Sequence, residues 1–331
     1  MKVSVLVAVY NTRQYLRQCL ESLRCQTHRD IEVIMIDDCS TDGSLAVEKE
    51  YADLDQRFLL IEQPENRGQA VARNEGLKIA SGHLITFLDS DDWFDHDAID
   101  QAVKAFEQNP ETDCVLFSVN AFQGTDIRLL NSPSSGPSAC LLSIDWRIHG
   151  IYVGRASLFK QWPYDTACRY FSDDNTTRIH YLHSRSVMQC QGIYNYRRHP
   201  ESGTCRMSVR QFDHVLANLS LKRQLEQHLP ACGLSDSQIR DMLNTLEMMR
   251  LRTLMHTAEI LIMHRGEFSA EELRVGEANL RTALSSFEPW RIPWRLRLRF
   301  GYMPIRHYRL FMLQETIFWK LRQCAGLKNN R

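Results

Sequence analysis

At 331 residues, 44% of them hydrophobic, the chain is long enough for a large core and for a second domain or an appended region. Forty Lys and Arg cancel forty Asp and Glu, so bulk charge gives no ground for a nucleic-acid partner or an acidic ligand. Ten cysteines, with no CxxC pair and no His at zinc-finger spacing, exclude a zinc ribbon and read as reduced, buried cytosolic thiols.

The opening MKVSVLVAVYN is apolar, but it is short and β-branched and ends at Tyr10-Asn11 without a small-residue cleavage site. It reads as a first strand rather than a signal peptide. Residues 3–9 suit a strand covered on both faces, and residues 12–25 place Tyr15, Leu16, Cys19, Leu20 and Leu23 on one helical stripe. A second apolar run, 31–36, stops at Asp37-Asp38, and a polar turn leads into a helix from Gly43. A third strand at 58–61 precedes a helix over 68–80, a strand over 84–88, a helix over 95–108 and a strand over 114–119. This repeated βα order predicts an α/β fold, a mostly parallel sheet flanked by helices, with ligands at the carboxyl ends of the strands.

Residues 123–143 turn to Gly, Ser and Pro and read as a loop or irregular hairpin, followed by a mixed segment over 146–204. The remainder reads as helical. Ser235-Asp-Ser-Gln238 and Ser269-Ala-Glu-Glu272 fit the capping box, and the run through Ile239, Met242, Leu243, Leu246 and Met249 needs a partner surface. No stretch approaches the ~20 apolar residues that span a bilayer. From Trp290 to Arg331 there are ten Lys or Arg and one acid, Glu315. Interleaved with Trp290, Trp294, Phe300, Tyr302, Phe311 and Trp319, these residues suit either anionic headgroups at a membrane surface or a helical lid with its Arg residues in water.

Two acidic turns stand at the ends of expected parallel strands. They are Asp37-Asp38-Cys39-Ser40-Thr41-Asp42 and Asp89-Ser90-Asp91-Asp92. Hard oxygen ligands in short turns suit Mg²⁺ or Mn²⁺ shared with phosphate oxygens, although short acids also serve simply as turn formers and helix caps. Asp42 can be the N-cap of the following helix, and Asp92 can cap the helix near Asp95.

Taken in order, SVLVAVYN at 4–11, DDCSTDGS at 37–44, ENRGQAVARNEGL at 65–77 and FLDSDDWF at 87–94 resemble the successive signatures of family 2 glycosyltransferases, nucleotide-sugar-dependent enzymes of the GT-A fold. The resemblance implies a GT-A domain over 1–205, with nucleotide-sugar binding in 1–120 and the acceptor side in 121–205, followed by a helical region over 206–331. It further implies that Tyr10 stacks on the nucleobase and Asp38 accepts from it, with Asp37 and Ser40 supporting that turn. Asn66, Gly68, Arg73 and Asn74 then meet the nucleotide or its diphosphate. Asp89-Ser90-Asp91 becomes the DxD element, with Asp91 the direct metal ligand and Asp89 on ribose or metal.

SDDNTT at 172–177 resembles the motif that holds the catalytic base, with Asp173 where Glu is more usual; Asp174 is the expected base and Asp173 the reserve. YNYRRHPES at 194–202 resembles the loop that closes over the diphosphate, Arg198 donating to it and His199 completing the metal site or donating to phosphate. The implied function is transfer of a sugar from a nucleoside-diphosphate donor, leaning to UDP, to a hydroxyl of a growing glycan in cell-surface polysaccharide or lipopolysaccharide assembly. It would be inverting and dependent on Mn²⁺ or Mg²⁺. Expected partners are the nucleotide sugar, a glycan or lipid-linked glycan acceptor, the inner face of the cell membrane, where a cytoplasmic protein would touch it through its basic aromatic C-terminus, and a second copy in a homo-oligomer. Two alternatives stand beside this reading. A haloacid-dehalogenase-type phosphatase would use Asp89 as nucleophile and Asp91 as acid/base, and a non-catalytic scaffold would bind nucleotide or carbohydrate without turnover.

Overall fold

The computed structural model describes residues 1–120, 130, 132–171, 173–199, 208–300 and 306–324; Ser172, Ser202 and Cys205 lie outside them. The chain divides into two compact units, Met1–Ser202 and Gly203–Arg331.

The first unit opens as an alternation of β1 (Val3–Val9), α1 (Arg13–Arg24), β2 (Ile31–Asp37), α2 (Ser44–Leu54), β3 (Phe58–Glu62), α3 (Gln69–Ile79) and β4 (Leu84–Phe87). It continues with β5 (Trp93–Phe94), α4 (Ala98–Gln108), β6 (Thr112–Asn120), β7 (Ser134–Ser135), α5 (Gly136–Ile144), β8 (Tyr152–Arg155), α6 (Ala156–Gln161), α7 (Asp173–Leu182) and β9 (Ser186–Asn195). One sheet runs β3-β2-β1-β4-β8-β6-β9-β5, with β7 on β9. The β3-β2-β1-β4 half is parallel, and its runs are apolar on both faces because helices cover both. Val3, Val5, Leu6, Val7, Val33, Ile34, Met35, Leu84 and Ile85 are fully buried.

Register places the chemistry. Val9 pairs with Asp37 and Leu6 with Phe87, so the residues that follow β1, β2 and β4 leave the sheet at the same edge. In the other half, β8 is antiparallel to β4 and β6, whereas β9 is parallel to β6 and then pairs antiparallel with β5, Trp93 against Asn195. That last pairing brings residues 194–199 to the acidic turn after β4.

Two readings of the sequence change. Residues 136–144, expected as loop, form helix α5: Pro137 falls in its first turn, where a missing N–H costs nothing, and Ala139, Cys140 and Ile144 are buried. Helix α4 begins at Ala98 rather than near residue 95, and Asp92 does not cap it.

The second unit is helical: α8 (His214–His228), α9 (Asp236–Met263), α10 (Ala270–Ser285), α11 (Trp294–Phe300) and α12 (Tyr308–Cys324). Both expected capping boxes form, Ser235 with Gln238 and Ser269 with Glu272. The partner surface that the α9 stripe needs comes from α8, α10 and α12, with Leu246, Leu254, Ala258, Leu280, Leu284 and Phe311 buried. Within this core Glu247 bridges Arg250 at 2.5 Å and Lys222 at 2.9 Å, all three nearly inaccessible. The nine described cysteines are all free, five of them buried.

Candidate active site

The turns after β1 and β2 are laced together. Asn11, at φ +54°, accepts the Thr41 amide at 2.7 Å and donates its own to Ser40 Oγ, while Asp37 Oδ2 accepts the Ser40 amide at 3.0 Å. Tyr10 emerges here with its ring 42% exposed. Asp42 accepts the amides of Arg13 and Ser44, serving the first turns of α1 and α2 together.

The Asp38 carboxylate is buried, and the loop before α3 closes on it. Oδ1 accepts from the Arg67 amide at 2.8 Å and from Gln63, and Oδ2 accepts the Gly68 amide at 2.8 Å. Burial raises its carboxyl above the ordinary value although those two amides hold it down. Gly68 has φ +91°, and a Cβ there would come within 3.2 Å of the Arg169 carbonyl, so glycine is required. Asn66 accepts from the Arg169 guanidinium. Asn74, instead of facing an anion, exchanges two hydrogen bonds with the backbone of Tyr164.

Behind this turn, Glu48 on α2 is fully buried beside Asp37. Burial first, then the Asp37 charge, push its carboxyl up to about 9, so at pH 7 it is a neutral acid able to donate toward Asp37, whose buried Oδ1 has no other donor among the described residues. A folded-state value above the unfolded one stabilises fully below about 4.5 and is lost as pH rises toward about 9. Wild type should therefore lose stability relative to Glu48→Gln by up to about 1.4 kcal/mol per pH unit across that window. Urea melts of both proteins at pH 5 and pH 8 measure it; parallel pH curves would show that Glu48 is ionised.

At the centre, Arg73 of α3 is 1% exposed. It donates to Asp89 Oδ1 at 2.6 Å and reaches Asp173 Oδ2 at 3.5 Å, its guanidinium lying 4.1 Å from the Phe87 ring centre. Gln69 adds a second donor to Asp89 at 2.9 Å. Burial still pushes the Asp89 carboxyl up to about 6, against Arg73. Ser90 is buried and accepts from Thr12 Oγ1 at 2.9 Å.

Asp91 Oδ2 lies 2.8 Å from His199 Nε2, and the His199 ring packs on Tyr15 at 4.5 Å. Asp92 is buried, accepting Tyr194 Oη at 2.6 Å and the Arg197 amide at 2.7 Å. Burial, then Asp89 and Asp91, push its carboxyl up to about 8. It is thus the clasp that fixes residues 194–199 onto the turn. Of the two adjacent arginines, Arg198 is exposed, while Arg197 donates to the Asp91 carbonyl at 2.8 Å and to Gln18 and lies over Trp93 and Tyr15. Sequence reading missed Arg197, as it missed Gln69 and Tyr194.

Asp173 and Asp174 occupy the first turn of α7. Burial pushes the Asp174 carboxyl up to about 6; Arg178, one turn on, opposes this and the Asp173 charge adds to it. Through Arg73, Asp173 joins the Asp89 cluster, whereas Asp174 looks to Arg178.

Among the described residues no group of three or more His, Cys, Asp and Glu could hold a metal ion. Asp91 Oδ2 and His199 Nε2, 2.8 Å apart, are a hard oxygen and an imidazole nitrogen that could together ligate one divalent ion.

A half-exposed aromatic, a carboxylate-held glycine loop, a buried arginine and an acid-histidine pair gather at the sheet edge where an α/β fold places its ligand. The chain belongs to glycosyl transferase family 2, whose family model matches residues 4–183. It is 48% identical over 114 residues to the putative glycosyltransferase EpsH of Bacillus subtilis (strain 168), covering 34% of this chain and 32% of that protein. With the poly(ribitol-phosphate) beta-glucosyltransferase of Bacillus spizizenii it shares 35% identity over 194 residues, 56% of this chain and 30% of that one. The chain thus spans about a third of the length of each. Its fold is that of S. aureus TarS 1-349 in complex with UDP-GlcNAc, TM-score 0.72 at 18% identity over 97% of this chain and 92% of that one. The family match takes in all four signature stretches; the phosphatase alternative accounted for one and is not favoured.

Proposed function

We propose that this chain moves a sugar from a UDP-linked donor to a hydroxyl of a growing glycan, in cell-surface polysaccharide or lipopolysaccharide assembly, by one metal-assisted displacement that inverts the anomeric carbon. The observation that carries this reading is the meeting, at one sheet edge, of the Tyr10 and Asp38 turns with the Arg73–Asp89 pair and the Asp91–His199 pair. The UDP-GlcNAc bound by TarS and the poly(ribitol-phosphate) acceptor in the name of one relative support a uridine donor and a polymeric acceptor.

In this reading Tyr10 stacks on the base, and Asp38, Asn66 and Gly68 shape the loop that receives the nucleotide. Asp89 and Ser90 face the ribose. Arg73 holds Asp89 in place, and Arg198 donates to the diphosphate. Asp91 and His199 hold Mn²⁺ or Mg²⁺, which supplies charge neutralisation for the departing diphosphate. Asp174 takes the acceptor's hydroxyl proton as the acceptor oxygen bonds to the anomeric carbon and the nucleoside diphosphate leaves with the electron pair.

A base that ionises near 6 makes kcat/KM rise with pH through about 6 and level off above it. Asp174→Asn should lower transfer by about 10³-fold, within the range for removing a general base, with UDP affinity unchanged. Turnover and calorimetric UDP binding on the same preparations check this. Lost UDP binding would make Asp174 a structural residue of α7, and undiminished transfer would pass the role to Asp173. A non-catalytic scaffold would bind UDP and release no sugar with any acceptor.

A further inference from the structure

Among the described residues, six of the fourteen exposed large hydrophobic side chains fall between residues 290 and 321: Trp290, Trp294, Leu310, Leu313, Ile317 and Leu321. The last four are on α12, where spacings of three, four and four put them within an arc of about 80°, one stripe along a helix about 25 Å long. Phe311 and Glu315 of the same helix turn to the opposite side and are buried, 2% and 4% exposed, so the helix is already seated by one face and presents the other.

The charges around the stripe decide what covers it. Arg309 and Lys320, both exposed, lie along one edge, and neither has an acidic partner among the described residues. Glu315, the sole acid of residues 290–331, is buried, so the open face of α12 carries no negative charge. At the start of the helix a cavity of about 490 Å³ is lined by Arg281, His307, Tyr308, Arg309 and Leu310; Arg281 there is 3.4 Å from Glu277. A second copy brought face to face would set these cations against their own kind, whereas an anionic surface complements them. Among the described residues no helix is long and apolar enough to cross a membrane, and the one-sided stripe of α12 is that of a helix lying in the interface plane.

We propose that α12 is an in-plane membrane anchor, its Leu310–Leu313–Ile317–Leu321 stripe entering the acyl boundary of an anionic lipid surface while Arg309 and Lys320 meet the headgroup phosphates. This does not rest on the transferase reading, since it is measured without turnover. The test is co-sedimentation of the full chain with vesicles of phosphatidylcholine alone and of phosphatidylcholine with one-third phosphatidylglycerol, at 0.1 M and 0.5 M NaCl. Wild type should pellet with the anionic vesicles, and less at high salt. Leu313→Glu/Ile317→Glu should bind at least tenfold more weakly, with unchanged melting temperature. Arg309→Gln/Lys320→Gln should weaken binding by roughly 25-fold, at about fivefold per charge. Equal pelleting by wild type and the Leu313/Ile317 variant overturns the proposal. A wild-type dimer in light scattering that this variant converts to monomer, with no vesicle binding by either, overturns it in favour of self-association.

Discussion

Arg73→Ala is expected to unfold the first unit at markedly lower urea and to abolish transfer. The guanidinium is almost fully buried, joined to Asp89 at 2.6 Å and to Asp173 at 3.5 Å and laid against Phe87. Removing the guanidinium takes the shared cation from Asp89 and Asp173, each about a third exposed, and leaves Asp89 with Gln69 as its side-chain donor, which costs on the order of 2 kcal/mol, more than exposed pairs such as Arg17–Glu50 contribute. Its loss also lets the Asp89 carboxyl rise further above about 6, because Arg73 is the chief influence holding it down. Arg73→Lys keeps the charge but loses the fork that reaches two carboxylates, so it should recover much of the stability and little of the transfer. Urea melts with parallel turnover assays separate the two effects. A stability change under 1 kcal/mol for Arg73→Ala would mean that Asp89 finds another partner.

Asp91→Ala should reduce transfer by about 10³-fold or more in saturating Mn²⁺ while leaving the fold intact. Asp91 is a quarter exposed at its side chain, which pairs with His199, so little packing depends on it. Its neighbours behave differently. Asp92 is buried and clasps Tyr194 and the Arg197 amide, so Asp92→Ala should lower stability as well as activity. Transfer rates and melting temperatures for the two variants should therefore part: activity alone for Asp91, both for Asp92. Equal destabilisation would mean that Asp91 is a structural member of the turn.

The parallel half of the sheet could be read from residues 1–88 because doubly covered strands appear as unbroken apolar runs, ended by polar turn residues such as Asn11, Asp37 and Asp89 where the backbone must turn. Helix α5 could not, since its first residues, Gly136-Pro137-Ser138, have the composition of a turn and only its burial makes it a helix. At the site, residues whose place follows from a strand end, Asp38, Asp89 and Asp91, stood out. Those whose place follows from distant pairing did not. Asp92 meets Tyr194 and Arg197 across more than a hundred residues, through the β5–β9 pairing, and nothing local in DSDDWF says that the third carboxylate turns inward. Arg197 and Arg198 are equivalent in sequence, but consecutive residues of an extended segment face opposite ways, and the Trp93 and Tyr15 rings that receive Arg197 come from other elements.

The most direct test is the affinity of UDP with and without Mn²⁺, measured by titration calorimetry on wild type and on Asp91→Asn. If the acid-histidine pair after β4 shares a divalent ion with a diphosphate, Mn²⁺ tightens UDP binding at least tenfold in wild type and less than twofold in the variant. Equal tightening in both proteins, or none in either, would contradict that arrangement.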